Sequence, residues 1–236
     1  MNCDVLKKGM DELELSATDE ICAGFGVYYE LLEERNKVMN LTAISGEEDV
    51  TRLHFLDSLA VAAISDLNGK KIIDVGSGAG FPGLPLKIVF PDISLTMLDA
   101  QAKRVGFLDE VCRAAGLTGA EAVHMRAEEA AREKNMRDSF DAALSRAVAR
   151  LNVLCELCMP FVKPGGVFIA MKSTDTEDEI NEAKSAVKLL GGAIEDVRDY
   201  TVPTTDIIHR AVIIRKLRST PKEYPRRFAK ISKSPL

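Results

Sequence analysis

Residues 70–83 read KKIIDVGSGAGFPG, and this stretch decides the fold. The apolar run Ile72–Val75, interrupted only by Asp74, predicts a short buried strand. Four glycines within the next eight positions let the backbone turn tightly and approach a ligand without an intervening Cβ. Pro82 and Pro85 suit the first turn of a helix, where an amide hydrogen is not needed. The stretch therefore predicts a strand, a glycine loop and a helix whose N-terminus faces a ligand.

The rest of the chain alternates strand and helix patterns after this point. Further strands are predicted at 93–99, 120–124, 139–145, 167–172, 193–200 and 209–217, and helices at 102–115, 126–137, 150–162 and 176–190. Five β-α units followed by a β-β pair indicate an α/β fold: a doubly wound, mostly parallel seven-stranded sheet with an antiparallel edge strand. We expect three parts: a helical extension (1–66), the core (67–217) and a basic C-terminal tail (218–236).

The helical extension carries its own signals. Leu6, Met10 and Leu13 are spaced for one face of a first helix, Ser16 is a candidate cap for a second, and residues 45–48 form a capping-box pattern that opens a third, through residue 64. His54 and Asp57 lie three positions apart on that third helix and can share a face. The spacing favours an ordinary ion pair over a catalytic role.

Composition narrows the classes of protein. The 236 residues are 46% hydrophobic and 28% charged, which is ordinary for a globular chain. No apolar run approaches the ~20 residues of a membrane span, and no signal-peptide pattern opens the sequence, so we expect a cytoplasmic protein. The five cysteines are an odd number without framework spacing. Cys155 and Cys158 form a C-x-x-C; a metal or redox role is open, but an apolar helix around the pair favours burial, and we predict no metal site.

Charge is unevenly distributed along the chain. Residues 215–236 contain eight Lys/Arg and one acid, which gives +7, and the net charge of −5 therefore leaves −12 on residues 1–214. A basic tail on an acidic body suggests a polyanionic partner. A solvated, disordered terminus is the alternative that charge alone leaves open.

The ligand of the glycine loop is ambiguous from the glycines alone. Gly78, Gly80 and Gly83 fit the G-x-G-x-x-G pattern of dinucleotide sites. However, the loop begins one glycine early, at Gly76, and the terminal β-β pair departs from a dinucleotide fold. Asp74 would be awkward beside a pyrophosphate and suits a cationic ligand such as S-adenosylmethionine (SAM). These features favour SAM over NAD.

The ends of the neighbouring strands supply further candidates. Asp99, 23 residues after Gly76, can bind ribose hydroxyls with either ligand, and Ala127 and Glu128 after the third strand would lie along the adenine. The fourth strand ends at residues 144–150, where a methyl acceptor should meet the sulfonium. No Asn/Asp-Pro-Pro-aromatic or Pro-Cys motif occurs there, and the cation Arg146 stands in that place instead.

These residues together resemble the bacterial ribosomal small-subunit methyltransferase G family, also called glucose-inhibited division protein B. The resemblance covers residue 36 to the C-terminus and is carried by motifs whose order and spacing match. The motifs are Asn36-Lys37-x-x-Asn40-Leu41-Thr42; His54-x-x-Asp57-Ser58-Leu59; residues 74–83; Lys103-Arg104-x-x-Phe107-Leu108; Arg126-Ala127-Glu128; residues 145–149; Lys172; and Tyr224-Pro225-Arg226-Arg227. Two departures stand out: Arg35 replaces a common Trp, and residues 228–231 (FAKI) replace a Pro/Gly-rich run.

The resemblance implies a Rossmann-like class I SAM-dependent methyltransferase that methylates N7 of a guanine, G527, in the 530 loop of 16S rRNA. It implies a 16S rRNA or 30S-subunit partner, and we expect a monomer. The implied SAM ligands are Gly76, Phe81, Ala127, Glu128 and Arg146, to which the strand-end argument adds Asp99 and the loop adds Asp74 and Gly78.

Substrate-positioning candidates are cations near the strand ends together with one amide: Asn40, Arg126, Arg146 and Lys172. Arg226 and Arg227 of the tail are candidates for RNA binding. Salt bridging to helix acids is the alternative role for these cations. Since N7 of guanine carries a free lone pair and no proton, we predict no acid–base pair, and catalysis by alignment. A methyltransferase of small molecules or proteins, and a non-catalytic nucleotide-binding module, are the competing functions.

Overall fold

The computed structural model describes residues 1–146 and 149–236; Ala147 and Val148 of the predicted acceptor segment lie outside the described residues. A single seven-stranded sheet forms the centre, in the order β3-β2-β1-β4-β5-β7-β6. The strands are β1 (Lys71–Val75), β2 (Ser94–Asp99), β3 (Ala120–His124), β4 (Phe140–Arg146), β5 (Val162–Ser173), β6 (Gly192–Thr201) and β7 (Ile208–Lys216). The α/β sheet that the sequence predicts is thereby confirmed.

The antiparallel strand is β7, and it lies one place in from the edge. β7 pairs antiparallel with both β5 and β6, whereas β1 to β5 pair parallel with one another. The edge strand β6 therefore runs in the same direction as β1 to β5, which corrects the prediction of an antiparallel edge strand. The chain leaves β5 for β6 across a one-strand gap, and β7 returns to fill that gap.

Helices cover the sheet and form the N-terminal extension. They are α1 (Asp4–Glu12), α2 (Asp19–Met39), α3 (Glu47–Val50), a π-helical segment (Thr51–Leu56), α4 (Asp57–Ile64), α5 (Gly83–Val89), α6 (Ala102–Ala114), α7 (Ala127–Ala130), α8 (Leu151–Cys158), a 3₁₀ turn (Met159–Phe161), α9 (Glu177–Leu189) and α10 (Phe228–Lys233). Cys155 and Cys158 lie fully buried on α8, so the buried-helix interpretation of the C-x-x-C is confirmed.

Three helix predictions need correction. Thr18, not Ser16, caps α2, because its side chain accepts from the Ile21 amide. The third helix is not uniformly α-helical, since residues 51–56 adopt a π turn, a feature that often marks functional sites. The helix predicted at 126–137 stops after one turn, because residues 132–135 are all exposed and supply no apolar stripe to pack.

The N-terminal helices pack directly on the glycine loop. The Tyr28 hydroxyl on α2, fully buried, donates to the carbonyl of Ala79 at 2.5 Å. The Tyr28 ring stacks on Phe81, and the ring of Phe55 lies beside both. Arg35, which replaces the family's Trp, forms two hydrogen bonds with Glu110 and so ties α2 to α6 by an ion pair. The extension therefore fixes the outer wall of the loop.

Candidate active site

Two acidic side chains, Asp74 of β1 and Asp99 of β2, accept hydrogen bonds from backbone amides of the glycine loop. The Gly83 amide donates to Asp74 Oδ2 (3.0 Å), and a Cβ on Gly83 would lie 2.9 Å from that oxygen, so this position requires glycine. Asp99 Oδ2 accepts from the Gly78 amide at 3.0 Å. Gly76 and Gly78 have φ values of 74° and 58°, a region that glycine tolerates without strain. The sequence motif is thus needed for the shape of the loop.

Asp74, predicted to lie near a cationic ligand, is buried beneath the glycine loop and contacts it at Gly83. Its side chain is fully buried, and Oδ1 has no hydrogen-bond partner among the described residues. Burial raises the pKa of Asp74 to about 7, against the lowering effect of the Gly83 hydrogen bond. A buried carboxylate with one unpartnered oxygen fits a cationic ligand or a bound water beside the loop, and this fit agrees with SAM better than with a pyrophosphate.

A cavity of about 190 Å³, here called the β1–β3 cavity, opens at the carboxyl ends of β1, β2 and β3. Four of the predicted cofactor residues line it: Gly76, Asp99, Ala127 and Glu128. Its remaining walls are largely apolar and include Leu98, Met125, Leu154 and Leu157, together with Phe228 from the C-terminal tail. The carboxyl ends of parallel strands are where open α/β sheets bind ligands, and apolar walls with a few polar groups suit an adenosine.

A second cavity of about 390 Å³, the Arg146 cavity, lies at the end of β4 and β5. It is lined by Ile44, Leu53, His54, Asp57, Arg146, Met171, Lys172, Ser173 and His209. The ring of Phe81 lies under it, stacked on His54 with a centroid distance of 4.3 Å and with the Arg146 guanidinium 4.8 Å from its centre. Phe81 and Arg146 therefore belong to this second cavity and do not line the first.

Arg146 is fixed by contacts with the N-terminal extension. Its Nη1 donates to Asp57 Oδ2 (2.8 Å) and to the carbonyl of Leu53 (3.2 Å), and its Nη2 donates to His54 Nδ1 (2.8 Å). Leu53 and His54 lie in the π turn, which explains why this irregularity occurs here. These contacts use three of the five guanidinium N–H groups. The other two have no partner among the described residues and can bind a ligand.

His54 is a neutral positioning group in this arrangement. A guanidinium can only donate, so Nδ1 of His54 accepts and Nε2 carries the hydrogen, which it donates to Thr42 Oγ1 at 2.7 Å. Burial and the neighbouring charge of Arg146 lower the pKa of His54 to about 3. The Thr42 backbone is itself held by two hydrogen bonds with the side chain of Asn36. The motif at 36–42 thus shapes the turn that orients His54.

Asp57 is the anionic centre of the cavity. Its Oδ1 accepts from Tyr200 (2.9 Å) and from His209 Nδ1 (2.8 Å), in addition to the Arg146 contact on Oδ2. Burial favours a higher pKa of Asp57, but the His209 hydrogen bond and the Arg146 charge outweigh it, and the pKa is lowered. The same hydrogen bond raises the pKa of His209. The predicted His54–Asp57 ion pair is therefore wrong: both residues pair with Arg146 instead.

The other predicted positioning residues are dispersed. Lys172 lines the Arg146 cavity, where its ammonium pairs with Glu179 (2.7 Å) and donates to the carbonyl of Ala149. Asn40 does not line this cavity; it is the exposed, left-handed C-cap of α2. Arg126 is also elsewhere, half-exposed beside the β1–β3 cavity with its guanidinium 5.5 Å from the ring centre of Phe228.

The tail is ordered against the core and corrects the prediction for Arg226. The Arg226 guanidinium binds both oxygens of Glu156, a fully buried carboxylate on α8, and the amide of Arg226 also donates to it. This side chain is therefore occupied by an internal ion pair and is not available to RNA. Arg227 is exposed and stays a candidate RNA contact. Lys216, another cation of the basic segment, is fully buried.

Tyr200, His209 and Phe228 are site residues that sequence patterns did not indicate. His209 lines the cavity because β7 inserts beside β5, where His209 pairs in register with Ser173. Tyr200 pairs with His209 in the β6–β7 register and donates to Asp57. The sequence could have indicated His209 only if the strand order had been known. Two consecutive strand patterns do not show which of them pairs with β5. Within residues 1–146 and 149–236, no group of three or more metal-ligating side chains occurs, and no helix is long and apolar enough to cross a membrane.

The strand order, with β7 reversed between β5 and β6 and ligand-binding loops at the ends of β1 to β3, defines the class I SAM-dependent methyltransferase fold. Solved structures with this fold include TrmN from Thermus thermophilus (TM-score 0.53, 20% identity, 68% of this chain and 48% of that one) and M. jannaschii TYW2 in complex with AdoMet (TM-score 0.55, 15% identity, 73% and 77%). The [4+2]-cyclase SpnF also matches (TM-score 0.58, 16% identity, 86% and 98%), so the fold alone does not specify the reaction.

Sequence relationships are far more specific. Residues 21–207 match the family model for rRNA small subunit methyltransferase G (GidB), and the chain belongs to this family. It is 46% identical over 234 residues to Ribosomal RNA small subunit methyltransferase G of Alkaliphilus oremlandii, which covers 99% of this chain and 98% of the relative. It is 48% identical over 213 residues to the protein of the same name from Thermoanaerobacter pseudethanolicus, covering 90% and 89%. The resemblance noted in the sequence is confirmed.

Proposed function

We propose that this protein transfers a methyl group from SAM to N7 of a guanine in 16S rRNA, at G527 of the 530 loop. Family membership supports the substrate class. The choice of N7 rests on one observation in the Arg146 cavity: each candidate general base there already forms hydrogen bonds with other side chains. The competing functions, methylation of a small molecule or protein and non-catalytic binding, have no comparable support.

A general base needs an available lone pair and a suitable pKa. His54 offers neither, because its Nδ1 accepts from Arg146 and its pKa is lowered to about 3. Asp57 accepts three hydrogen bonds and its pKa is also lowered. His209 donates to Asp57, which raises its pKa and favours the charged form. Such a site suits a nucleophile that carries no proton, as N7 of guanine does, and not an exocyclic amine that must lose one.

Arg146 would orient the base. Two of its N–H groups have no partner among residues 1–146 and 149–236, and guanine O6, adjacent to N7, is the acceptor that arginine commonly binds. Asp57, His54 and the carbonyl of Leu53 hold the guanidinium in one orientation, so that O6 is bound at a fixed place. SAM supplies the methyl group on a cationic sulfur. The protein's contribution is alignment, which can lower such a barrier by about 7–11 kcal/mol.

The residues of the β1–β3 cavity would hold the cofactor. Glu128 and the backbone at Ala127 would bind the adenine edge, Asp99 the ribose, and the loop from Gly76 to Gly78 the remaining polar groups. Asp74, with its unpartnered buried oxygen, would stabilise a positive charge beside the loop.

Methyl transfer with radiolabelled SAM tests the proposal. The purified protein should label 16S rRNA from cells that lack the modification and should not label 23S rRNA. Arg146→Ala should lower kcat by at least tenfold while SAM binding changes little, because Arg146 does not line the β1–β3 cavity. Lys233→Ala, an exposed cation on α10, is the control. Binding of SAM without transfer to any 16S rRNA would refute the proposal.

Further features belong to the same proposal. Free 16S rRNA and intact 30S subunits are two forms of the substrate, and parallel assays with both distinguish them. We propose that the protein acts as a monomer in the cytoplasm, where its ribosomal substrate is assembled; light scattering during gel filtration tests the monomer. Arg227, exposed on the tail, is proposed to contact RNA phosphates, and Arg227→Ala should then reduce the salt dependence of RNA binding.

A further inference from the structure

The C-terminal tail, residues 218–236, is clamped to the core by two arginines that follow α7. Arg137 donates to the carbonyls of Thr220, Pro221 and Tyr224 at 2.8–3.1 Å. Arg132 donates to the carbonyl of Pro225 at 2.6 Å. Hydrogen bonds from these two cations to four loop carbonyls fix the path of the backbone between residues 220 and 225.

A buried ion pair fixes the next residue. Glu156, on α8, is fully buried, and Arg226 binds both of its oxygens at 2.6–3.1 Å. Ile231, one turn further along α10, is fully buried in the same core. Arg226 and Ile231 thus hold the segment between them against α8, and Phe228 lies in that segment.

Phe228 is placed at the mouth of the β1–β3 cavity. It lines this cavity together with Gly76, Asp99, Ala127 and Glu128. Phe228 is 39% exposed, although Arg226 before it and Ile231 after it are anchored to the core. Arg126 also lines the cavity, and its guanidinium lies 5.5 Å from the centre of the Phe228 ring. The tail therefore contributes an aromatic wall to a cavity otherwise built from the ends of three strands.

We propose that Phe228 is a cofactor-contacting residue, whose ring packs against the adenine of SAM and closes the outer end of the β1–β3 cavity. The inference rests on the proposed function, because it takes SAM as the ligand of this cavity. Adenine presents an apolar π face, and a phenyl ring is the side chain best suited to cover it. Phe228 belongs to the FAKI segment in which this chain departs from the family's Pro/Gly-rich run, so the contact is a property of this sequence.

Binding measurements test the contact directly. Phe228→Ala should raise the Kd for SAM by about 3- to 10-fold in isothermal titration, the range expected for loss of one aromatic contact. Phe228→Tyr should bind SAM within about twofold of wild type, since the ring is retained. Lys233→Ala, on the exposed side of the same helix, is the matched control and should leave the Kd unchanged.

The absence of tryptophan from the chain gives a second, independent readout. Phe228→Trp introduces a single tryptophan at the proposed contact, and its emission, excited selectively over that of the four tyrosines, should shift or be quenched on SAM addition with the same Kd as the titration. Leu217→Trp, an exposed position that does not line the cavity, should give no response.

The outcomes separate the two proposals. If wild type binds SAM, and Phe228→Ala binds it equally well while the tryptophan at 228 stays silent, the tail contact is overturned and the proposed function stands. If wild type itself does not bind SAM, the proposed function fails. Weaker binding by Phe228→Ala, retained binding by Phe228→Tyr and a fluorescence response at 228 establish the contact.

Discussion

Replacing Asp74 by asparagine should stabilise the protein at neutral and alkaline pH. The buried carboxyl has a pKa of about 7 in the folded state, against 3.8 for the ordinary group. Between these two values the unfolded chain releases a proton that the folded protein retains, so the stability of wild type falls as pH rises. Each pH unit in this window costs at most about 1.4 kcal/mol, which amounts to about 2–3 kcal/mol between pH 5 and pH 8.

Asparagine keeps the acceptor for the Gly83 amide and places a neutral NH₂ where Asp74 Oδ1 has no partner. Asp74→Asn should therefore resemble wild type at pH 5 and exceed its free energy of unfolding by about 2–3 kcal/mol at pH 8. The same change should weaken SAM binding, because the carboxylate is lost. This gain of stability with loss of function is the usual cost of a strained functional group.

Urea unfolding at pH 5 and pH 8, without ligand, measures both values. Asp66→Asn, which alters an exposed carboxylate, is the matched control and should stay within about 0.5 kcal/mol of wild type at both pH values. The reasoning is refuted if Asp74→Asn is less stable than wild type at pH 8, or if the gap between them does not change with pH.

Three further predictions follow from the ion pairs. Asp57→Asn should lower the free energy of unfolding in urea by about 2–4 kcal/mol and kcat by at least tenfold, because Arg146 loses its buried anionic partner. A variant with wild-type kcat would contradict the role given to Asp57. Arg226→Ala should lose about 3–5 kcal/mol, since it leaves Glu156 buried without a partner, and a loss below 1 kcal/mol would show that the pair is not anchored. Because the pKa of His209 is raised in the folded state, its stabilising effect is complete below pH ~6.5 and disappears as pH rises through the folded value. His209→Asn should therefore lower the free energy of unfolding more at pH 6 than at pH 9. An equal loss at both pH values would argue against this linkage.

Local patterns predicted most of the fold because the strands that build the site are short and regularly spaced, and β1 and β2 are buried after their first residue. The strand before the glycine loop, the strand ending at Asp99 and the one before Ala127 all lie within a residue or two of their predicted places. The candidates at these ends converge on one cavity because parallel strands present their carboxyl ends at one edge of the sheet.

The parts that were not predictable depend on contacts between distant segments. His209 and Tyr200 reach Asp57 because β7 inserts between β5 and β6, and a β-β pattern does not encode that choice. Charge also misled: Arg226 and Lys216 contribute to a basic tail in the sequence, but one pairs with a buried glutamate and the other is itself buried. A sequence shows the sign of a charge and not the partner that neutralises it.

The central claim is methylation of guanine N7 at one position of 16S rRNA, and mapping the modified base tests it most directly. Small subunits that lack the methyl group would be treated with the protein and SAM, and their 16S rRNA then reduced with borohydride and cleaved with aniline, which breaks the chain at N7-methylguanosine. We expect a single new cleavage at G527, absent with Arg146→Ala. Incorporation of label without cleavage, or cleavage at another guanine, would contradict it.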